Sequence, residues 1–303
     1  MSIYISGSKG FVGANLVCNF KSIGISVSSI SRNDLLSNSV SRFSDAHAII
    51  HLAGKAHDFK KASNPDEYYQ VNTELSKKLF DSFLNSEAKV FIILSSVKAV
   101  ADDVDGELKE EIIPNPITHY GKSKLLAEQY ILSKQIPEGK RVYILRPCMI
   151  HGPGNKGNLN LLYKLVSKGI PWPLGAFENK RSFCSIDNLI YIIKELIERN
   201  DIPSGVYNVA DDEPLSTNEV ISLIAISRNK KPKIWIIPKD IIKTLAKFGD
   251  LLRLPLTTER LKKLTESYVV SNQKIKSVIC KDFAVSAKDG LLKTFNSFGT
   301  NAQ

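Results

Sequence analysis

The chain has 303 residues, with 41 Lys and Arg against 31 Asp and Glu, a formal net charge of +10. That length buries a full core, as one large domain or two intimate ones, and 43% hydrophobic residues exclude a chain disordered by composition. The lysines are scattered, with the densest cluster at Arg228-Asn229-Lys230-Lys231-Pro232-Lys233 in an expected loop, so the charge reads as a solvated basic face that also attracts small anions, with no nucleic acid expected as a partner.

Short apolar runs alternate with helical patterns through the first half. Ile3–Ser6 reads as a strand and Phe11–Phe20 as a helix, with Gly7-Ser8-Lys9-Gly10-Phe11-Val12-Gly13 at their junction. Strands are expected at Ile25–Ser31 and Ala48–Ala53, a helix at about Asp66–Ser86, and a strand at Val90–Ser95. A helix carrying Tyr120 runs to about Ser133, and Arg141–Arg146 is the next strand. This rhythm predicts an α/β fold, a doubly wound parallel sheet with helices on both faces. It fills residues 1–150 and also receives about 185–210. Only Arg32–Asp45 separates the second and third strands, so the helix and strand usual there are expected to be reduced or lost.

After Pro147, closely spaced glycines and prolines mark irregular structure. A helix at Asn188–Glu198 and a strand near Val206–Val209 follow. A further helix spans Ser216–Ser227 and opens on the capping pattern Ser216-Thr217-Asn218-Glu219. Ile236–Lys263 is helical and basic, broken at Pro255; it reads as a solvated face, with contact to a membrane surface as the alternative. Residues 151–184 and 211–303 are expected to form a smaller, mixed α/β substrate domain. The first residues show no charged-then-apolar leader and no run is long enough to span a bilayer, so the expected location is the cytoplasm.

A G-x-x-G-x-x-G turn between strand and helix suits a dinucleotide. The turn is tight, the backbone approaches a pyrophosphate, and the helix N-terminus offers free N–H groups. At the end of the second strand, a carboxylate would bind a ribose 2′-hydroxyl and an arginine a 2′-phosphate. Here Ser31 and Arg32 stand at that end and Asp34 slightly beyond, which favours NADP(H) and leaves NAD(H) open. Tyr120 and Lys124 are four residues apart and share one helix face. The ammonium is expected to lower the tyrosine pKa, making Tyr120 a general acid or base, and Lys124 can also hold ribose hydroxyls. Ser96 ends a buried strand, where it can hydrogen-bond a substrate oxygen.

His47 and His51 are four apart along a strand, roughly 13 Å, too far to share one ion, so no metal is assigned. His119 and His151 are expected near the cleft as polar lining. Cys18, Cys148, Cys184 and Cys280 form no Cys-x-x-Cys pair and read as buried thiols.

The ordered set Gly7–Gly13, His51-Leu52-Ala53-Gly54, Tyr69-Gln70-Val71-Asn72, Ser95-Ser96, Tyr120–Lys124, Arg146-Pro147, His151-Gly152-Pro153-Gly154 and Arg181-Ser182-Phe183 resembles the extended short-chain dehydrogenase/reductase family over essentially the whole chain. That family contains nucleotide-sugar epimerases, dehydratases and reductases on a Rossmann-type fold. The resemblance implies that Leu52, Ala53 and Gly54 pass under the cofactor and that Asn72 braces the loop after the central strand. It makes Ser96, Tyr120 and Lys124 the catalytic trio and places Pro147 at the nicotinamide. It gives Arg181 to the substrate diphosphate, joined by Asn158 and Arg260, and Pro171–Leu174 to the wall of the base pocket. Family members often dimerise through the Tyr120 helix and the one near Asp66–Ser86, so a homodimer is expected.

Sugar 4,6-dehydratases of this family carry an acidic pair after the catalytic Ser or Thr. Val97-Lys98 stand there, which argues against dehydration and puts Lys98 beside the substrate. The run Ser95–Lys98, with Gly154–Asn158 and Pro171–Leu174, is similar to a bacterial subgroup resembling UDP-sugar 4-epimerases. Some of its members reduce a UDP-4-keto-6-deoxy-N-acetylhexosamine for surface polysaccharide. The expected activity is that NADP(H)-dependent 4-ketoreduction. The alternatives are a UDP-hexose or UDP-N-acetylhexosamine 4-epimerase with tightly bound NAD, and a non-enzymatic NADP(H) sensor or RNA-binding protein on the same fold.

Overall fold

A computed structural model describes residues 1–36, 43, 45–56, 64–155, 157–252 and 256–300. Its strands are, in chain order, β1 (Ser2–Ser6), β2 (Ser26–Ile30), β3 (Ala48–His51), β4 (Val90–Leu94), β5 (Glu107–Leu108), β6 (Arg141–Pro147), β7 (Met149–His151), β8 (Phe183–Ser185), β9 (Gly205–Val209) and β10 (Val269–Val270). Six of them make one sheet in the order β2-β1-β3-β4-β6-β9, every neighbouring pair parallel. The central strands are apolar without alternation, as in Val90-Phe91-Ile92-Ile93, because helices cover both faces.

On one face lie the helices Phe11–Ser22, Ile186–Glu198 and Gln273–Ile279, contributing Leu16, Phe20, Ile193, Leu196 and Ile275 to a core with Ile3, Ile5 and Ile92. On the other lies the helix Leu75–Leu84, whose Phe80 and Phe83 pack edge-on and tilted against Phe91, with Ile131 of the helix His119–Leu132. A second core forms around Trp172, Leu215, Ile224 and Phe295 in the later half of the chain. The sheet order reverses at β1, with β2 on one side and β3 on the other. The crevice beyond their carboxyl ends is where such sheets bind ligands.

Among the described residues β2 is one edge of the sheet, followed by the five-residue helix Arg32–Leu36; residues 37–42 and 44 of the shortened connection lie outside them. The helix expected at Asp66–Ser86 runs over 66–84 and contains a π-helical segment, Tyr69–Glu74. Ile236–Lys263 resolves into two helices, Lys239–Leu252 and Thr258–Thr265; Pro255 lies outside the described residues. The capping box at Ser216 and Glu219 is present. The parallel pairs β7·β8 and β5·β10 were not anticipated, since two or three residues carry no readable period.

The cysteine expectation needs correcting. Cys184 is buried and Cys148 partly so, whereas Cys18 and Cys280 are exposed. Cys280 closes the Gln273–Ile279 helix in a left-handed conformation (φ 54°).

Candidate active site

The glycine turn leaves no room for side chains. Gly7 has φ +73°, and a Cβ there would lie 2.6 Å from Ala53 N; one on Gly13 would lie 2.2 Å from Gly7 O. Gly10 N–H donates to Gly7 O (3.0 Å), and Gly10 caps the Phe11–Ser22 helix without a side-chain acceptor or a first-turn acid. Its N-terminal N–H groups, over Phe11 and Val12, thus meet neither a capping side chain nor a first-turn acid of their own helix. That is the environment an anionic pyrophosphate requires.

The loop after β3, which begins at Leu52, is clamped beneath this turn. Asn72 Oδ1 accepts Lys55 N–H (2.8 Å), and its Nδ2 donates to Lys55 O (3.0 Å) and Ser123 Oγ (2.9 Å). Asn72 thus joins that loop to the Tyr120 helix, and the π-helical segment carries it. A Cβ on Gly54 would meet Lys124 Nζ at 3.0 Å and Asn72 Oδ1 at 3.1 Å. Behind the loop, buried His51 bonds Ser6 Oγ through Nδ1 (2.6 Å) and Ser76 Oγ through Nε2 (2.8 Å). Ser76 passes its own proton to Asn72 O (2.6 Å), so His51 Nε2 is the donor and Nδ1 accepts from Ser6. Burial, and then the Lys124 charge, hold His51 down at about 3, so it stays neutral.

Tyr120 opens the helix His119–Leu132, capped by Thr118 Oγ1 accepting from Gly121 N–H (3.2 Å). Asp102 fixes that cap by accepting the Ile117 and Thr118 N–H groups at 2.7 and 3.2 Å. A Cβ on Gly121 would fall 2.2 Å from Lys98 O, so only glycine lets this helix reach the turn after β4. There Ser96, 9% exposed, lies near Tyr120, and its hydroxyl oxygen accepts the Lys98 N–H (3.2 Å). Tyr68 packs edge-on against Tyr120 with ring centroids 6.4 Å apart. Lys124 is buried and donates to Leu94 O (2.9 Å).

Here the sequence expectation is overturned. Burial raises the Tyr120 pKa and outweighs the nearby Ser96 hydroxyl, which lowers it; Tyr68 adds to the rise. Lys124 is itself pulled down to about 8 by burial, with Glu128 pushing the other way, and one of its three N–H groups goes to a strand carbonyl. Tyr120 is thus held in its proton-carrying form. One turn on, Glu128 accepts Arg146 Nε (3.1 Å) and Nη2 (2.6 Å) and the Ser95 hydroxyl, a pair with side chains 1% and 5% exposed.

On the substrate side, Lys98 Nζ lies 4.1 Å over the Tyr268 ring and donates to Asp102 O (2.7 Å). Arg181 pairs with Glu266 (3.1 Å) and bridges β-fashion to Leu215 and Tyr268. Burial lowers both cations' pKa values, against nearby acids including Glu266. Lys98 and Arg181 are close enough to oppose each other electrostatically, so the structure brings them together beside Ser96. Pro147 ends β6, buried. Asn158 is exposed at the start of the helix Asn158–Ser167, and Arg260 is exposed in the first turn of Thr258–Thr265. Leu174 is 3% exposed inside the second core, its backbone bridged to Ile236. Ser31 and Asp34 cap each other: Ser31 N–H donates to Asp34 Oδ2 (2.8 Å) and Asp34 N–H to Ser31 Oγ (3.2 Å), leaving Arg32 exposed between them. His151 is fully buried between Thr294 Oγ1 (2.9 Å) and Asp211 (3.4 Å), a junction residue rather than cleft lining. Among the described residues no cluster suits a metal. Sequence reasoning missed Gly121, Glu128 and Tyr268; only the glycine, inside a helix directly after the tyrosine, offered a signal.

A glycine-turn crevice leading to a cluster of Ser96, Tyr120 and Lys124, with Tyr120 half-buried, is the arrangement of a dinucleotide-dependent enzyme. The model of the NAD dependent epimerase/dehydratase family matches residues 3–210, and the chain belongs to that family. A UDP-glucose 4-epimerase from Vibrio cholerae is 34% identical over 261 residues, 79% of each chain. Among solved structures, a Bacillus cereus UDP-glucuronic acid 4-epimerase in complex with NAD superposes with TM-score 0.78 at 19% identity, over all of both chains. A Pseudomonas aeruginosa protein described as RMD complexed with NADPH gives 0.73 at 20%, over 99% of each.

Proposed function

We propose that this nucleotide-sugar enzyme is a 4-ketoreductase that uses NADP(H) to reduce the C4 ketone of a UDP-4-keto-6-deoxy-N-acetylhexosamine. The observation carrying the C4 chemistry is the half-buried Tyr120 near Ser96, on one helix face with the buried Lys124. The choice of NADP(H) is supported by Arg32, exposed at the end of β2, while the nearby Asp34 carboxylate is committed to its own backbone turn. The turn at Gly7, Gly10 and Gly13, with Leu52, Ala53 and Gly54, fits a pyrophosphate; Ser31 and Arg32 would hold the 2′-phosphate, and Asn72, Lys124 and Pro147 the nicotinamide end.

When bound, the nicotinamide supplies the hydride. Ser96 aligns the substrate oxygen and Tyr120, held protonated, gives it the proton. Lys124 holds ribose hydroxyls and positive charge beneath them. Lys98 and Arg181 would face the substrate diphosphate.

The second reading is a UDP-sugar 4-epimerase retaining NAD, supported by the Vibrio relative. A sensor or RNA-binding role has less support, since Tyr120 and Lys124 are both assembled. The test follows nicotinamide absorbance on adding UDP-4-keto-6-deoxy-N-acetylglucosamine to protein and NADPH. In parallel, UDP-N-acetylglucosamine is incubated without added cofactor. Stoichiometric NADPH loss is expected. Gluco–galacto interconversion without added cofactor would instead establish the epimerase and overturn the reading of Arg32.

A further inference from the structure

The helix Lys239–Leu252 has an apolar arc that its own protein covers only in part. Ile242, Ala246 and Gly249, spaced i, i+4, i+7, are buried; a Cβ on Gly249 would lie 1.7 Å from Leu256 O. Turned about a quarter of the way round the helix is a second stripe, Ile241, Leu245, Phe248 and Leu252, spaced i, i+4, i+7, i+11. These are 52%, 51%, 55% and 62% exposed. The segment entering the helix adds Trp235 and Ile236, 57% and 79% exposed. The stripe alone presents apolar surface on the order of 500 Å², as much as the largest patch on a typical monomer.

The charge around it has one sign. Residues 228–252 carry seven basic side chains against two acids, a net +5, which is half the net charge of the whole chain in 25 residues. Asp250, one of the two acids, is tied to Thr258 (2.7 and 3.1 Å). Apolar side chains in a stripe, an exposed tryptophan beside them and concentrated lysine match the interfacial zone of an anionic bilayer.

We propose that Trp235, Ile236 and the Ile241–Leu252 stripe dock the protein on anionic lipid bilayers, with the surrounding lysines on the headgroups. Among the described residues no helix is long and apolar enough to cross a membrane, so the attachment is peripheral. The docking face adjoins the substrate domain's pocket segment: Ile234 and Ile236 bridge Trp172 and Leu174, and Lys239 lies 6.0 Å over Phe177. Docking therefore holds that segment close to the bilayer. The inference is independent of which C4 reaction the active site performs.

The chain has two tryptophans, and Trp172 is 3% exposed, so Trp235 reports the surface. The full-length protein is mixed with vesicles of phosphatidylcholine, alone or with phosphatidylglycerol as the minor component, and followed by flotation and tryptophan emission. Expected is flotation with the anionic vesicles, a blue shift with quenching by brominated lipid, and loss of both at high salt. Phe248→Asp with Leu252→Asp abolishes binding while leaving Tm unchanged, because both positions are exposed. Lys230→Glu with Lys231→Glu weakens it on the order of tenfold. Absence of flotation at low salt, or flotation indifferent to the Asp pair, overturns the proposal. So does a light-scattering dimer that the Asp pair converts to monomer without any lipid binding, since the face would then belong to a second copy.

Discussion

Replacing Glu128 with Gln removes one negative charge from the centre of the site without changing its shape. Glu128 is 1% exposed and its partner Arg146 5%, with contacts of 2.6–3.1 Å. The amide retains one acceptor oxygen for a guanidinium that keeps its full charge in a dry environment. Breaking such a pair from one side costs about 3–5 kcal/mol. For a chain of this size that corresponds to a Tm lower by roughly 5–8 °C. A second effect falls on Lys124, which burial holds at about 8 while Glu128 pushes it upward. Without Glu128 that value drops further, and the alkaline limb of the keto-reduction rate moves to lower pH. Removing both charges, as Glu128→Met with Arg146→Met, regains much of the lost stability because no orphaned ion remains. The assays are calorimetry on the single and double variants and pH–rate profiles of Glu128→Gln. A Tm loss under about 2 °C, or a double variant no more stable than the single, would refute the reasoning.

Tyr120→Phe is expected to lower kcat at least about 100-fold while NADPH affinity changes little, since the phenol acts on the proton and not on the cofactor's phosphates; near-normal turnover removes Tyr120 from the mechanism. Gly13→Ala places a methyl 2.2 Å from Gly7 O and forces the turn apart, so dinucleotide affinity measured by calorimetry drops about tenfold or more; unchanged affinity means the cofactor does not use this turn. Arg32→Asp inverts the NADPH/NADH preference in kcat/KM, and an unaltered ratio sinks the NADP(H) assignment. His51 binds its proton in the unfolded chain near the usual 6.5 but in the folded protein only at about 3. Its contribution is therefore complete above pH 6.5 and lost as pH falls toward 3, by at most about 5 kcal/mol. Urea unfolding from pH 7 to 4.5 should show this slope in the parent and not in His51→Gln; equal slopes in both contradict it.

Much of this site is readable along the chain because it is built from local rules. A glycine turn between strand and helix works through backbone space that a Cβ would occupy, so glycine itself is the signal, and the close approach to Ala53 agrees with it. Tyr120 and Lys124 share a face because helical spacing requires it, and buried parallel strands announce themselves as unbroken apolar runs. The capping box at Ser216 is equally local. Tertiary structure decided what depends on distant partners. Spacing alone suggested that Lys124 lowers the Tyr120 pKa, but burial sets the direction, and burial is made by Tyr68, the turn at Ser96 and the sheet beneath. Glu128 and Arg146 lie 18 positions apart on a helix and a strand, and Arg181 and Glu266 are 85 apart; neither pairing leaves a local pattern. Nor did helical periodicity tell which half of the Lys239–Leu252 apolar arc is covered, because it gives the width of the arc and only packing gives the neighbour.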